Sequence, residues 1–385
     1  MIAPGASGPS MDTVSSAAWP VRCSNCGRGV APGALDYRCR TCGGFFDLET
    51  EIVYAASTPP GVGSRPRSVL PVPEAAPWIT LGEGGTPLVA GALEGRTVHF
   101  KCEYLNPTGS FKDRGTTVLM SILAGAGVRE AIEDSSGNAG ASFAAYAARA
   151  GIRVRVFVPE GASARKLAQI EAYGAEIVRV SGPRSGVAEA ARREADQGAV
   201  YASHVWLPFG MAGFATMAFE IVEELGAAPA GVVVPAGHGT LLLGLARGFD
   251  AMIAAGMIDR KPRMVAAQAA ACAPLWAAYQ GGGAAVGWVR EGETRAEGIR
   301  ILQPLRGDSV LREVETSGGT IIAVDEPSIL RGEAELARRG FFVEPTSAVV
   351  WSALESTLGG LADPVVAVLT GSGLKAEPVA MRNHV

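Results

Sequence analysis

The stretch from residue 135 to 159, SSGNAGASFAAYAARAGIRVRVFVP, contains the pattern on which the fold prediction depends. Its alanine-rich part, residues 139–150, predicts a helix, and the Val- and Phe-rich part that follows, residues 153–158, predicts a strand. Helices and strands of the same kind alternate along the rest of the chain. Such alternation is typical of parallel sheets covered by helices on both faces, and the number of units indicates two doubly wound α/β domains. The other predicted helices are 113–124, 164–173 and 183–197, and the other predicted strands are 98–102, 176–180, 231–235, 263–267, 321–324 and 365–369.

The composition indicates a globular enzyme without an extended charged surface. The 385 residues are 48% hydrophobic, and 34 Lys and Arg stand against 38 Asp and Glu, which gives a net charge of −4. This balance argues against nucleic acid or an acidic membrane surface as the main partner. No apolar run is long enough for a membrane span, and the start of the chain lacks the basic and apolar pattern of a signal peptide. We expect a cytoplasmic protein in which residues 1–20 form a flexible tail.

Four of the six cysteines form two closely spaced pairs, Cys23 with Cys26 and Cys39 with Cys42. Two such pairs on a short hairpin can present four thiolates tetrahedrally to one zinc ion, so residues 21–48 are predicted to form a structural zinc ribbon. The alternatives are two disulfides or a redox pair. A cytoplasmic chain of this size argues against disulfides, and a redox motif would not be duplicated in this way. Because protein ligands would fill all four positions, the metal would have no catalytic role. A short β-excursion is predicted at residues 30–37.

A Pro- and Ser-rich connector, residues 49–77, separates this ribbon from the predicted catalytic body, residues 78–385. Cys102 and Cys272 lie in apolar surroundings within that body and are predicted to be inert core residues.

The first candidate functional segment is NPTGSFKDRG, residues 106–115. Its Lys112 lies at the predicted start of a helix, where the positive end of the helix dipole favours the neutral amine. A neutral amine is the nucleophile that forms a Schiff base. The alternative is a solvated lysine in an ordinary helix start.

Two further glycine-rich segments also lie between a predicted strand and a predicted helix. The segment of Ser135, Ser136, Gly137 and Asn138 offers hydroxyls, an amide and free N–H groups that suit a carboxylate, although one serine would suffice for an ordinary N-cap. The segment PAGHGT, residues 235–240, has glycines that let N–H groups converge on a phosphate, although a structural turn would look the same.

The combination of a lysine, a carboxylate cradle and a phosphate cradle resembles the pyridoxal-phosphate (PLP) enzymes of the tryptophan synthase β type, which have fold type II. The closer resemblance is to threonine synthase. It rests on LGEGGTPL at 81–88, residues 105–115 and TGSGLK at 370–375, in that order, and it extends over residues 78–378. Many members of this family also have an N-terminal zinc ribbon. The resemblance implies a homodimer and a smaller mobile α/β domain, at about residues 105–205, inserted in the larger one.

The resemblance also assigns roles to individual residues. Lys112 corresponds to the lysine that forms the Schiff base with the cofactor and later moves protons, and Phe111 beside it is a cofactor-binding candidate. Asn138 corresponds to the partner of the cofactor's 3′-oxygen, and Thr370 to the hydroxyl that faces the pyridine nitrogen, which favours elimination and replacement over transamination. The substrate carboxylate would be held by Ser135, Ser136 and Gly137. The phosphate loop corresponds to Gly237, His238, Gly239, Thr240 and Leu241.

Glu344 lies near the cofactor in members of that family. An equally good interpretation makes it an ordinary carboxylate at a helix N-terminus.

The family pattern breaks at residues 204–215, where threonine synthases have an Asn, a Ser, an Arg and a Lys for the substrate phosphate. Alignment on Pro208 and Gly213 puts His204, Val205, Gly210 and Ala215 at these positions. A phosphate dianion needs charge-assisted donors, and these four residues supply few of them. The part of the pocket that would bind the substrate phosphate is therefore predicted to differ from that of the family. His204 is a candidate substrate ligand, or else a structural histidine. Arg165 and Lys166 could supply charge, or be solvated helix residues.

Two reactions follow from this comparison. The first is the conversion of O-phospho-L-homoserine to L-threonine and phosphate by a PLP-dependent lyase. The alternative is a Ser/Thr dehydratase, an ammonia-lyase or a β-replacement synthase acting on another small amino acid. It is favoured by the altered stretch and by the segments AEGI, at 296–299, and VEP, at 343–345, which are similar to segments of such enzymes. A protein that binds PLP or zinc without catalysis is a third interpretation, and Lys112, Asn138 and Thr370 argue against it.

Overall fold

The computed structural model describes residues 20–30, 34–57, 59–65, 67–162, 164–182 and 184–376. The predicted tail lies outside the described residues except for Pro20, and so do the side chains of Arg165 and Lys166.

Within these ranges the chain forms twelve strands and eleven α-helices. The strands are β1 (Val21–Cys23), β2 (Gly29–Val30), β3 (Phe46–Leu48), β4 (Leu88–Leu93), β5 (Arg96–Lys101), β6 (Glu130–Glu133), β7 (Arg153–Pro159), β8 (Glu176–Val180), β9 (Gly231–Pro235), β10 (Arg263–Ala269), β11 (Thr320–Val324) and β12 (Val365–Val368). The helices are α1 (Lys112–Gly125), α2 (Asn138–Ala150), α3 (Ala164–Ala172), α4 (Arg184–Asp196), α5 (Gly210–Leu225), α6 (Thr240–Ala254), α7 (Pro274–Gly281), α8 (Gly283–Val286), α9 (Gly307–Thr316), α10 (Glu326–Arg338) and α11 (Pro345–Thr357).

The larger sheet has the strand order β11-β10-β9-β12-β5-β4. Its strands are parallel except for β4, which pairs antiparallel with β5 at the edge. Every residue of β9 and β12 is buried, as expected for central strands covered by helices on both faces. The sequence prediction did not include β4. Glu94 and Gly95 both have positive φ and form a two-residue hairpin turn, which permits only antiparallel pairing.

The smaller sheet has the order β6-β7-β8, is parallel throughout, and lies in sequence between β5 and β9 of the larger sheet. The predicted α/β class with two parallel-sheet units is therefore confirmed. None of the described helices is long and apolar enough to cross a membrane.

The N-terminal cysteines belong to a third, antiparallel sheet of order β2-β1-β3. Gly27 and Gly43 have φ of 70° and 73°, and their N–H groups donate to the carbonyls of Cys23 and Cys39 at 3.0 and 2.8 Å. Of the predicted excursion at 30–37, Val30 ends β2 and described residues 34–37 contain no strand, while residues 31–33 lie outside the described residues. Strand β1 pairs with both β2 and β3.

Candidate active site

One cleft of about 2600 Å³ collects the carboxyl ends of strands from both parallel sheets. Loops at these ends are where α/β proteins bind ligands. The volume exceeds the few hundred to about 1,000 Å³ of a typical small-molecule site, so the cleft is open. The predicted site residues that line it are Phe111, Lys112, Ser135, Ser136, Gly137, Asn138, His204, Gly237, His238, Gly239, Thr240, Leu241 and Thr370.

Lys112 is the first residue of α1, and its side chain points into this cleft. Its Nζ lies 2.8 Å from Nε2 of His204 and 4.5 Å from the centre of the Phe111 ring. Desolvation lowers the pKa of Lys112 to about 8, against the opposing effect of the Glu133 and Glu344 carboxylates. A substantial fraction of the amine is therefore neutral near physiological pH, as a nucleophile requires.

His204 brings a second group to this lysine. Its Nδ1 lies 3.8 Å from Oε1 of Glu133, a buried carboxylate at the end of β6. The same carboxylate accepts the N–H of Ser135, so it connects the lysine's surroundings to the start of the second glycine-rich segment. Glu133 was missed at the sequence level, because a strand-end carboxylate has no motif of its own.

The second glycine-rich segment leads into α2, and Gly137 is the N-cap of that helix. The Ser135 hydroxyl accepts the N–H of Gly137 at 3.2 Å, and no side-chain cap of α2 occurs in the part of the chain that is described. The ordinary N-cap interpretation therefore fails for this helix. A Cβ on Gly140 would lie 1.8 Å from the carbonyl oxygen of Ser135, so only glycine permits this close turn.

Asn138 is held from two sides by partly buried charged groups. Its Nδ2 donates to both carboxylate oxygens of Glu344 at 2.9 Å, and its Oδ1 accepts from Nζ of Lys375 at 3.0 Å. Burial raises the pKa of Glu344 and lowers that of Lys375. Glu344 is the N-cap residue of α11, but its side chain reaches Asn138 in the cleft instead of capping that helix. Lys375 was given no role from sequence, although it ends the TGSGLK segment.

The third segment is a glycine cradle in front of α6. Gly239 is the N-cap, with φ of 83°, and a Cβ there would lie 2.1 Å from Cγ2 of Val310. A Cβ on Gly237 would lie 3.1 Å from Cγ1 of Ile301. The first N–H groups of a helix have no acceptor within it, so this end of α6 presents main-chain donors to the cleft.

Thr370 follows β12 and is almost fully buried. Its Oγ1 lies 2.9 Å from the Ser347 hydroxyl, which in turn accepts the N–H of Gly371 at 2.9 Å. Ser347, in the segment VEPTS, was missed because a lone serine at the start of a helix usually serves as a cap.

The altered stretch is divided by the fold. His204, Val205 and Trp206 line the cleft, whereas Gly210 and Ala215 belong to α5 and are buried in the core. A Cβ on Gly210 would touch Gly115 of α1 at 3.4 Å. Small residues at these positions therefore let α5 approach its neighbours, and their side chains do not reach the cleft.

The four paired cysteines form a compact cluster. Their Sγ atoms all lie within 4.8 Å of one another, with 3.4 Å between Cys23 and Cys42 and 3.7 Å between Cys26 and Cys39. Disulfide bonds measure about 2.05 Å, so these thiols are free, whereas tetrahedral zinc with four thiolates at about 2.3 Å requires separations near 3.8 Å. The N–H groups of Thr41 and Cys42 lower the pKa of Cys39 to about 6, whereas, against the lowering effect of the Gly44 N–H, contacts with the other thiols raise the pKa of Cys42 to about 12. The cluster suits a zinc ion.

The fold is α/β, and its cleft brings the Lys112 amine and the N-terminus of α6 together. A family described as "Pyridoxal-phosphate dependent enzyme" matches residues 79–371, and the chain belongs to that family. It is a PLP-dependent lyase of fold type II, as its sequence predicted.

The chain is similar to curated threonine synthases over most of its length. The threonine synthase of Mycobacterium leprae is 38% identical over 335 residues, which cover 84% of this chain and 91% of that protein. The threonine synthase of Methanocaldococcus jannaschii is 33% identical over 381 residues, which cover 94% of each.

Solved structures share the fold. A threonine deaminase from T.th. has a TM-score of 0.62 and 26% identity, covering 76% of this chain and 94% of that one. Maize serine racemase has a TM-score of 0.63 at 23% identity, covering 75% and 88%.

The residues of the cleft fit PLP on their own chemistry. Lys112 supplies an amine of lowered pKa. The cradle before α6 suits a phosphate, and at Gly239 it has no room for a side chain larger than hydrogen. Thr370 supplies an uncharged hydroxyl.

Proposed function

We propose that this protein catalyses elimination or replacement on a small L-amino acid with a β- or γ-leaving group. The observation that supports this most is the recessed Lys112 amine, which shares one cleft with the glycine cradle of α6. Lys112, Phe111, Asn138, Thr370 and the loop from Gly237 to Leu241 would hold the cofactor. Bound there, PLP would supply an electron sink for charge that develops at the substrate's α-carbon.

The chain's own groups would bind the substrate and move its protons. Ser135, Ser136 and Gly137 would hold the substrate carboxylate, since this segment precedes the N-terminus of α2. The neutral Lys112 amine would take the α-proton and would later move protons at the α- and β-carbons as the leaving group departs. Closure of the unit at about residues 105–205 over the cleft would exclude water between these steps.

The favoured named reaction is O-phospho-L-homoserine plus water giving L-threonine plus phosphate. The identity to threonine synthases over more than four-fifths of the chain supports it.

A second candidate is a dehydratase, ammonia-lyase or β-replacement synthase acting on another small amino acid. His204, Val205 and Trp206 line the cleft where a dianion would need several charged donors, and the similarity to a threonine deaminase structure points in the same direction.

Purified protein tests the cofactor and the substrate separately. We expect a visible absorbance band with PLP that is absent in Lys112→Ala, and the lack of any band in the wild-type protein would exclude both candidates. Phosphate and threonine formed from O-phospho-L-homoserine would support the first candidate. Keto acid and ammonia formed from serine or threonine, without turnover of O-phospho-L-homoserine, would support the second.

We also propose that the Cys23, Cys26, Cys39 and Cys42 cluster binds a structural zinc ion, because all four thiolates are protein-supplied and leave no open position. A homodimer and a cytoplasmic location complete the proposal, and both rest on the resemblance to amino-acid biosynthetic enzymes.

A further inference from the structure

The N-terminal sheet and its cysteines, residues 21–48, here called the cysteine hairpin, contact two helices of the catalytic body, α4 and α6. On one side the Tyr37 hydroxyl donates to Oδ1 of Asp196 in α4 at 2.9 Å, and Arg38 donates to both oxygens of the same carboxylate at 2.8 and 2.7 Å. On the other side Asp47 accepts from Arg247 of α6 at 2.7 Å. The hairpin is thus packed into the body of the enzyme.

The same hairpin holds the loop that carries His204. The Tyr37 ring packs edge-on against Trp206, with ring centres 5.3 Å apart and planes at 85°. From the opposite side the buried Arg306 donates to the carbonyl of Val205 at 3.3 Å and to the carbonyl of Phe46 at 2.8 Å. The residues that follow His204 are therefore fixed by one ring and one backbone carbonyl of the hairpin.

The fixed loop brings the His204 ring to the reactive amine. Nε2 of His204 lies 2.8 Å from Nζ of Lys112, and Nδ1 faces the Glu133 carboxylate at 3.8 Å. A carboxylate on that side favours the proton on Nδ1, which leaves the Nε2 lone pair for the lysine. Among the described side chains, Glu133, Glu344 and His204 face Lys112, and Lys112 and Glu133 face His204.

We propose that the cysteine hairpin positions His204, through Tyr37 and Trp206, so that the imidazole accepts a hydrogen bond from Lys112 and sets how readily that amine gives up its proton. Tyr37, Trp206 and Arg306 are positioning residues, and His204 touches the reacting nitrogen directly. The inference rests on the proposed function only in taking Lys112 as the reactive amine.

The test measures Lys112 itself in the full-length protein from which cofactor has been removed. Trace acetylation with acetic anhydride between about pH 6 and pH 11, read at the Lys112 peptide by mass spectrometry, gives the pH midpoint of this amine. Because the readout needs no PLP, it separates failure of this proposal from failure of the proposed function. The wild-type midpoint is expected near 8.

His204→Leu removes the acceptor of the ammonium form, so the midpoint should fall by about one pH unit, the shift that loss of a hydrogen bond to a charged group produces. Tyr37→Leu and Trp206→Leu should lower it by a similar amount, because each releases the loop. Tyr37→Phe keeps the ring and should leave the midpoint unchanged. Arg40→Ala is the control within the hairpin, since this exposed arginine pairs only with Asp36 among its described contacts.

The double variant Tyr37→Leu with His204→Leu decides whether the hairpin acts through the histidine. Its midpoint should equal that of His204→Leu alone. A further fall in the double variant, or a wild-type midpoint in either Tyr37→Leu or Trp206→Leu, would overturn the proposal. Thermal melting identifies any variant that does not fold. Tyr37→Leu and Trp206→Leu alter opposite sides of the same contact, so the test needs only one of the two to fold.

Discussion

At the scale of single residues, the Lys112 amine is governed by its surroundings more than by its position on α1. Burial lowers its pKa to about 8, while two carboxylates, Glu133 and Glu344, act in the opposite direction. The fraction of the amine that is neutral rises with pH and equals one half at the pKa. The free amine, not the ammonium ion, attacks an aldehyde.

The rate of PLP uptake by the cofactor-free protein should therefore rise steeply between about pH 7 and pH 9, following the pKa of about 8, and level off above it. Stopped-flow absorbance at several pH values measures this rate. A profile that is still rising at pH 10.5, the ordinary value for lysine, would contradict the lowered pKa. Lys112→Arg serves as the control that should show no uptake.

The contacts of Asn138 lead to a second prediction, on the binding of PLP. Asn138→Ala removes the partner of both Glu344 and Lys375, two partly buried charged groups, and leaves each without a hydrogen bond that it now makes. We expect PLP binding to weaken by about 10-fold, since loss of a hydrogen bond to a charged group costs about 1.5 kcal/mol. Fluorescence titration with PLP measures the change. Asn25→Ala, at an exposed site on the cysteine hairpin, should bind PLP like the wild-type protein.

At the scale of elements, the junction between β9 and α6 depends on glycine. Gly239→Ala puts a Cβ 2.1 Å from Val310 of α9 in a left-handed conformation, so the start of α6 must shift. We expect a loss of about 1–3 kcal/mol in the free energy of unfolding, together with weaker PLP binding.

Gly256→Ala is the matched control for this substitution. Gly256 has a φ of 69°, and a Cβ there would meet nothing within 4 Å. It should cost about 1 kcal/mol of stability from backbone strain alone and leave PLP binding unchanged. Equal effects of both substitutions on PLP binding would show that the cradle geometry at Gly239 is unimportant.

Elements with strong local signals were predictable, and contacts between distant elements were not. Strand β9 matches its predicted bounds because a buried parallel strand is a short apolar run between turn residues. The predicted bounds of β8 also match, although this strand is only partly buried. Strand β4 escaped prediction because its burial is uneven and its place is set by the hairpin turn at Glu94 and Gly95.

The same distinction between local signals and distant contacts applies to the residues of the candidate site. Lys112 and the glycine segments have local sequence signatures, whereas the approach of His204 to Lys112 joins residues 92 positions apart and depends on packing. The burial of Gly210 and Ala215 is likewise a property of how α5 packs, which an alignment of motifs does not contain.

At the scale of the whole molecule, the cysteine hairpin should add stability through its metal. We expect one zinc per chain, and Cys26→Ser should reduce the bound zinc and lower the melting temperature, because a structural zinc site contributes folding free energy directly. Metal analysis and thermal unfolding measure both effects. Cys272→Ser alters a buried cysteine far from the cluster in sequence and should retain the zinc. Equal zinc contents in the two variants would contradict the assignment.

The buried ion network beside the reactive lysine has a consequence for comparing sequences. Arg114 forms ion pairs with Glu103 and Glu220, all three fully buried, and Asp113 accepts from the N–H and the hydroxyl of Thr108. These neighbours hold the polypeptide together whether or not any reaction takes place. In a homologue that no longer catalyses a reaction, Arg114, Glu103 and Glu220 would be retained for stability, while Lys112 could be replaced by another residue. A homologue with the three buried charged residues but without the lysine would thus have lost enzymatic activity while keeping the fold.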